Sequence, residues 1–230
     1  MKKILIIITL SMTGFLSFGQ VRLFSEEVED FSRDKGFGPN QKHYVQFLFT
    51  YGSYFGKSNP GAVVNPFVST YFSLNLRYKL KLSRYFALGS ELEFPFSSFH
   101  LSQEQGKIFP DTILHLNERI EVNEIRGSLY FRVNFNKRRG EYLGTFADVG
   151  MKSGWIYAFY HHTLDKTNGI KVHTTYNGYD FYKPLINYWY IRLGFDKVSF
   201  ILMKRFSSFF KPSVAYPDLI KYSAGIEYSF

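Results

Sequence analysis

The chain has no cysteine at all. That excludes a disulfide framework, a Cys-ligated zinc centre and a lipid-anchored cysteine. Charged residues make up only 20% of the 230, too few for a disordered polyelectrolyte. Alanine is scarce, and past the first residues no apolar run reaches the roughly 20 residues that a membrane-spanning helix needs. What the chain has instead is 26 Phe and 18 Tyr, with a net charge of +9. Aromatic side chains suit a pleated surface, so the composition predicts strands in a single domain or barrel.

The first residues read as an address. Lys2 and Lys3 precede an apolar run over 4–10, and Ser17-Phe18-Gly19 puts small residues where a signal peptidase cuts. Residues 1–19 are therefore expected to be a cleaved signal peptide. Residues 20–41 form a separate N-terminal segment, expected to be periplasmic. Its acids (Glu26, Glu27, Glu29, Asp30, Asp34) and its apolar Val21, Phe24, Val28 and Phe31 suggest a short amphipathic helix or a loose leader.

From Tyr44 the hydrophobic period becomes two. Eight stretches alternate an apolar with a polar or small face, near 44–51, 72–81, 86–96, 125–135, 143–155, 188–195, 198–209 and 220–230. The connections alternate too. Those at 82–84, 136–141 and 196–197 are tight; those at 52–67, 97–120, 160–183 and 210–219 are long. The pattern predicts an all-β, eight-stranded, up-and-down antiparallel barrel over 42–230.

Alternation alone leaves the apolar face pointing inward, as in a lipocalin-like barrel or a sandwich, or outward, towards lipid. Full charges at mid-strand on the polar faces and aromatics near strand ends favour the outward choice. So does a chain that finishes on the apolar Phe230. In hydrocarbon every backbone group must pair between strands, which requires closure. The chain here resembles the small eight-stranded outer-membrane barrels of Gram-negative bacteria, the OmpA/OmpX-like class, over residues 42–230. The terminal run with Tyr222, Ile226, Tyr228 and Phe230 resembles the C-terminal signal read by barrel-assembly machinery. The resemblance implies a transmembrane barrel in the cell outer membrane, in contact with the lipid bilayer and lipopolysaccharide.

An eight-stranded barrel is just wide enough for side chains to fill it. Counting from the tight turns puts Arg77, Arg132 and Arg192 level with Glu91, Asp148 and Glu227, so a lumen ion-pair network is expected. Higher up, Arg126, Lys152, Arg205 and Lys221 face inward with only Glu93 against them. An electropositive external mouth is expected there, unless acidic loop residues such as Asp165 and Asp180 neutralise it. Lys204 falls on the lipid side if its strand is regular.

His100, His115, His161, His162 and His173, with Ser97, Ser98, Ser207 and Ser208, gather towards the long-loop end. No spacing fixes a catalytic set among them. Adjacent His161 and His162 point to opposite faces of a strand, so no metal site or cofactor is expected. The positive charges are spread along strands, which argues against nucleic acid. The expected function is a non-enzymatic structural or accessory barrel that presents its loops and residues 21–35 to partner proteins, in the setting of an export or assembly complex. The alternative is a lipid-A-modifying hydrolase or acyltransferase with a Ser/His site at the external rim.

Overall fold

A computed structural model describes residues 37–136 and 143–230. The expected signal peptide, the stretch 21–35 and most of the 136–141 turn lie outside the described residues. Among the described residues nine strands follow in order: β1 His43–Phe55, β2 Thr70–Lys81, β3 Phe86–His100, β4 Asn117–Asn134, β5 Thr145–Thr167, β6 Ile170–Tyr176, β7 Leu185–Phe195, β8 Val198–Arg205 and β9 Tyr222–Ser229. The sheet order is β4-β3-β2-β1-β9-β8-β7-β5-β6, and β4 also pairs with β5. That last pairing closes an eight-stranded antiparallel up-and-down barrel. β6 is an extra strand that pairs only with the upper part of β5.

Closure removes the sandwich alternative, and burial settles which face looks in. On β2, Phe72, Leu74 and Leu76 are exposed, whereas Ser73, Asn75 and Arg77 are buried. The same inversion runs around the wall: Phe47, Leu92, Leu129, Val149, Ile191, Phe200 and Ile226 all point outward. Inside, aromatic rings lie flat over glycine backbone. Tyr190 covers Gly150, where an added Cβ would sit 2.8 Å from the ring. Phe146 lies against Gly194 and leaves no room for a Cβ.

Three features differ from the expectation. Strands β3, β4 and β5 climb well into stretches expected to be loops, to His100, from Asn117 and to Thr167. In these extensions both faces are polar or mixed, so hydrophobic alternation fades although the ladder continues. Within 160–183, Asn168 and Gly169 take positive φ (53° and 84°) and turn β5 into β6. Such a turn matches the twist of its flanking strands. Finally β8 is regular but stops at Arg205, four residues early, and Lys204 faces outward with Nζ 5.4 Å from the Tyr222 ring centroid.

At the short-turn end, residues 37–42 fold onto β2. Lys79 and Lys81 donate to the Pro39 and Asn40 carbonyls, and the Lys81 amide donates to the Lys42 carbonyl at 2.8 Å.

Candidate functional site

The interior has two storeys. In the lower one, strand alternation delivers Arg77 (β2), Glu91 (β3), Arg132 (β4), Asp148 (β5), Arg192 (β7) and Glu227 (β9) to one layer, all buried. Arg192 is the hub. Its guanidinium lies 2.8 Å from Glu91, 3.0 Å from Asp148 and 2.6 Å from Glu227. Arg77 bridges Glu91 at 2.7 Å and Glu227 at 2.8 Å. Arg132 holds Asp148 with two parallel bonds of 2.6 and 2.8 Å, and its guanidinium sits 3.5 Å over the Phe146 ring. Removing one partner from such a set leaves a buried charge uncompensated, at a cost of about 3–5 kcal/mol.

The four cations expected at an external mouth do not gather there. Arg126 and Lys152 lie within the lumen, each about 1% exposed. Lys152 reaches Glu93 at 2.6 Å and Glu91 at 3.3 Å. Arg126 makes a two-pronged contact with Glu124 at 2.9 Å, under the Tyr188 ring. Arg205 bonds Asp218 at 2.9 Å, and Lys221 lies 3.2 Å from the same carboxylate. Missed carboxylates therefore neutralise the mouth. Glu124 shares the parity of Arg126 and becomes visible once β4 is extended below residue 125; Asp218 sits in a loop, where parity says nothing.

Above this layer the interior turns apolar. Phe109 is wholly buried, with ring centroids 4.7 Å from Phe210, 5.2 Å from Tyr216 and 5.6 Å from Phe181. Those four rings come from three different long loops, and Ala62 and Val64 from the fourth join the same cluster. Of the aromatics in the long connection 160–183, Tyr179, Phe181 and Tyr182 pack against this plug, while Tyr176 stays exposed.

A polar clamp fixes loop 101–116 beside the plug. The Glu118 carboxylate accepts from Lys107, from Gln103 at 2.6 Å and shares a 2.7 Å bond with His161. Burial alone would raise the Glu118 pKa, but the bonds from His161, Lys107 and Gln103 outweigh it and hold the group below the ordinary carboxylate value. His161 points inward because β5 slips register at Ala158 relative to Ile156, which reverses its parity above Tyr157. His115 bonds Asp165 at 2.9 Å. Asp111, Glu118 and His161 bring three possible metal-ligand atoms together, but the Lys107 ammonium already lies against both carboxylates.

On the outer wall above the apolar band, one cross-strand row runs His100 (β3), Arg119 (β4), His162 (β5), Thr175 (β6). His162 Nδ1 is 2.9 Å from the Thr175 hydroxyl and its Nε2 is 3.2 Å from Glu121. Among the described residues no histidine ring nitrogen bonds a serine hydroxyl. Tyr222, Ile226, Tyr228 and Phe230 all point outward; the first three lie on β9, which pairs β1 with β8. Compared with known proteins, the chain matches no family model and no curated protein.

Proposed function

We propose that the chain is a non-enzymatic integral outer-membrane β-barrel, delivered by a cleaved leader, that holds its long loops and N-terminal segment in fixed geometry as an accessory subunit for partner proteins. One observation carries the reading: the barrel is inside-out, with a charged, filled lower lumen and a continuous apolar outer wall. Leu129 is 72% exposed and Phe47 65%. Water rarely faces contiguous apolar patches beyond a few hundred Å² on a soluble monomer, whereas lipid requires such a belt. A lumen closed by buried ion pairs below and packed rings above supports presentation rather than transport. The outward Tyr222, Ile226, Tyr228 and Phe230 suit a strand read by assembly machinery.

Affinity purification from native outer membranes in mild detergent tests the role. A partner is expected to come along and to be lost when residues 21–35 are deleted. A chain that fractionates as a soluble periplasmic protein, or that always purifies alone, removes the proposal. Planar-bilayer recording is expected to show no stable conductance.

A second reading, a lipid-modifying hydrolase, has one observation in its favour: the Thr175–His162–Glu121 line on the outer wall sets a hydroxyl, an imidazole and a carboxylate in sequence. The hydroxyl is a threonine in a directly opposed cross-strand pair, which is also ordinary sheet packing. Mass spectrometry of lipid A with and without the gene separates the two.

A further inference from the structure

The β4–β5–β6 extension carries a charge surplus on its outward face. Lys166 and Lys171 stand directly opposite each other across the hairpin. Both are exposed, and among the described residues neither has a carboxylate at ion-pair distance. Directly opposed like charges destabilise a strand pair, so this hairpin has a standing need for an anion. Four residues further down the strand, or about 13 Å at ~3.3 Å per residue, Arg119 sits between His100 and His162, with Glu121 at 2.8 Å as its one carboxylate among the described residues. Three formal positives thus face a single acid. Beside them a cleft of about 250 Å³ opens, lined by His100, Arg119, His162 and His173.

Position decides the class of anion. The row at Arg119 is four residues up the wall from Phe96 and its partner Asn123, or about 13 Å along the strand at ~3.3 Å per residue. Phe96, Trp155 and Tyr157 end the apolar band below it. At that height the long Arg119 side chain reaches down towards the head-group level while its stem covers apolar surface, and Lys166 and Lys171 stand four residues higher.

We propose that this face binds a phosphate-bearing lipid headgroup of the leaflet at the long-loop end. The assignment rests on the membrane reading above and names a lipid partner for it. Arg119 supplies a planar fork for a phosphate, and Lys166 and Lys171 supply point charges above it.

The test uses the full chain in lipid nanodiscs, with insertion first scored by heat-modifiable migration. Native mass spectrometry then compares bis-phosphorylated lipid A, its dephosphorylated form and inorganic phosphate as probes. The wild type is expected to retain the phosphorylated lipid at least about tenfold better than the dephosphorylated one, given roughly one charge contact per basic residue. Arg119→Gln/Lys166→Gln/Lys171→Gln is expected to abolish that preference, and Lys166→Arg/Lys171→Arg to keep it. Equal retention of both lipids by an inserted wild type overturns the site and leaves the barrel assignment standing. Tight capture of inorganic phosphate with no lipid preference overturns the lipid assignment. A chain that never inserts overturns both.

Discussion

The two storeys of the interior do different work. The lower one joins wall to wall: Arg192 on β7 ties β3, β5 and β9 together, and Arg77 on β2 reaches β9 across 150 residues of sequence. The upper one joins loop to loop through rings that point at one another around Phe109. Ion pairs buried this deep carry a large desolvation penalty, so the set as a whole adds little net stability, while stripping one partner from it is costly. Ring packing carries no such penalty and tolerates loop ends that are not held in a ladder. The lower storey therefore ties the barrel wall together, and the upper ties the long loops together.

The largest effect is expected at the hub. Arg192→Met strips a partner from Glu91, Asp148 and Glu227 at once and should lower barrel stability by about 3–5 kcal/mol, read as a fall in the urea midpoint of the heat-modifiable band. An unchanged midpoint would mean that the charges do not hold the wall. Phe109→Ala removes a comparable amount of packing, about 3–5 kcal/mol, but from the plug alone. Tryptic cleavage at Lys107 should accelerate sharply while the urea midpoint stays near wild type. If both storeys melted together, the division drawn between them would be wrong.

Gly150→Ala probes the junction, because the new methyl meets the Leu129 carbonyl oxygen at 2.4 Å and the Tyr190 ring at 2.8 Å, and that ring flanks both Lys152 and Arg192. Overpacking there should cost about 1–3 kcal/mol, and adding Tyr190→Leu should recover only the ring's share, because the contact with the Leu129 backbone stays.

The smallest effect is one of pH. Glu118 has a folded pKa below its ordinary value, so its contribution is present above about pH 4.3 and is lost as pH falls through the lower folded value. Amide exchange over 101–116, corrected for its intrinsic pH dependence, should be flat from neutral pH to about 5 and rise below that. Glu118→Gln should exchange faster at neutral pH and show no such rise.

Much of the barrel was legible because lipid-type alternation is a strong signal wherever one face is apolar. The strand pattern through Phe72 to Leu80 could be read directly, and parity then put Arg77 and Glu91 in the lumen. Legibility failed where the apolar face ends. His100, Arg119 and His162 are in register on a ladder, yet nothing in their hydropathy says so. The Asn168-Gly169 dipeptide did carry a hairpin signal, and Ile170 and Val172 alternate with Lys171 and His173 after it, but Lys166 and Thr167 before it offer no matching apolar face. The neutralised mouth was misjudged for a related reason: Glu124 lies one step beyond the point where alternation seemed to stop. The slip in β5 near Tyr157, which turns His161 inward, leaves no mark in a sequence at all.

The chain contains two tryptophans, Trp155 and Trp189, and both stand on the outer wall, 54% and 49% exposed. Intrinsic fluorescence of the unaltered protein therefore reports directly on what surrounds the barrel. In vesicles of brominated phospholipid the emission should be strongly quenched, and aqueous acrylamide should quench it weakly. Full acrylamide quenching with no effect of bromine would contradict the outward-facing lipid belt on which the proposed role depends.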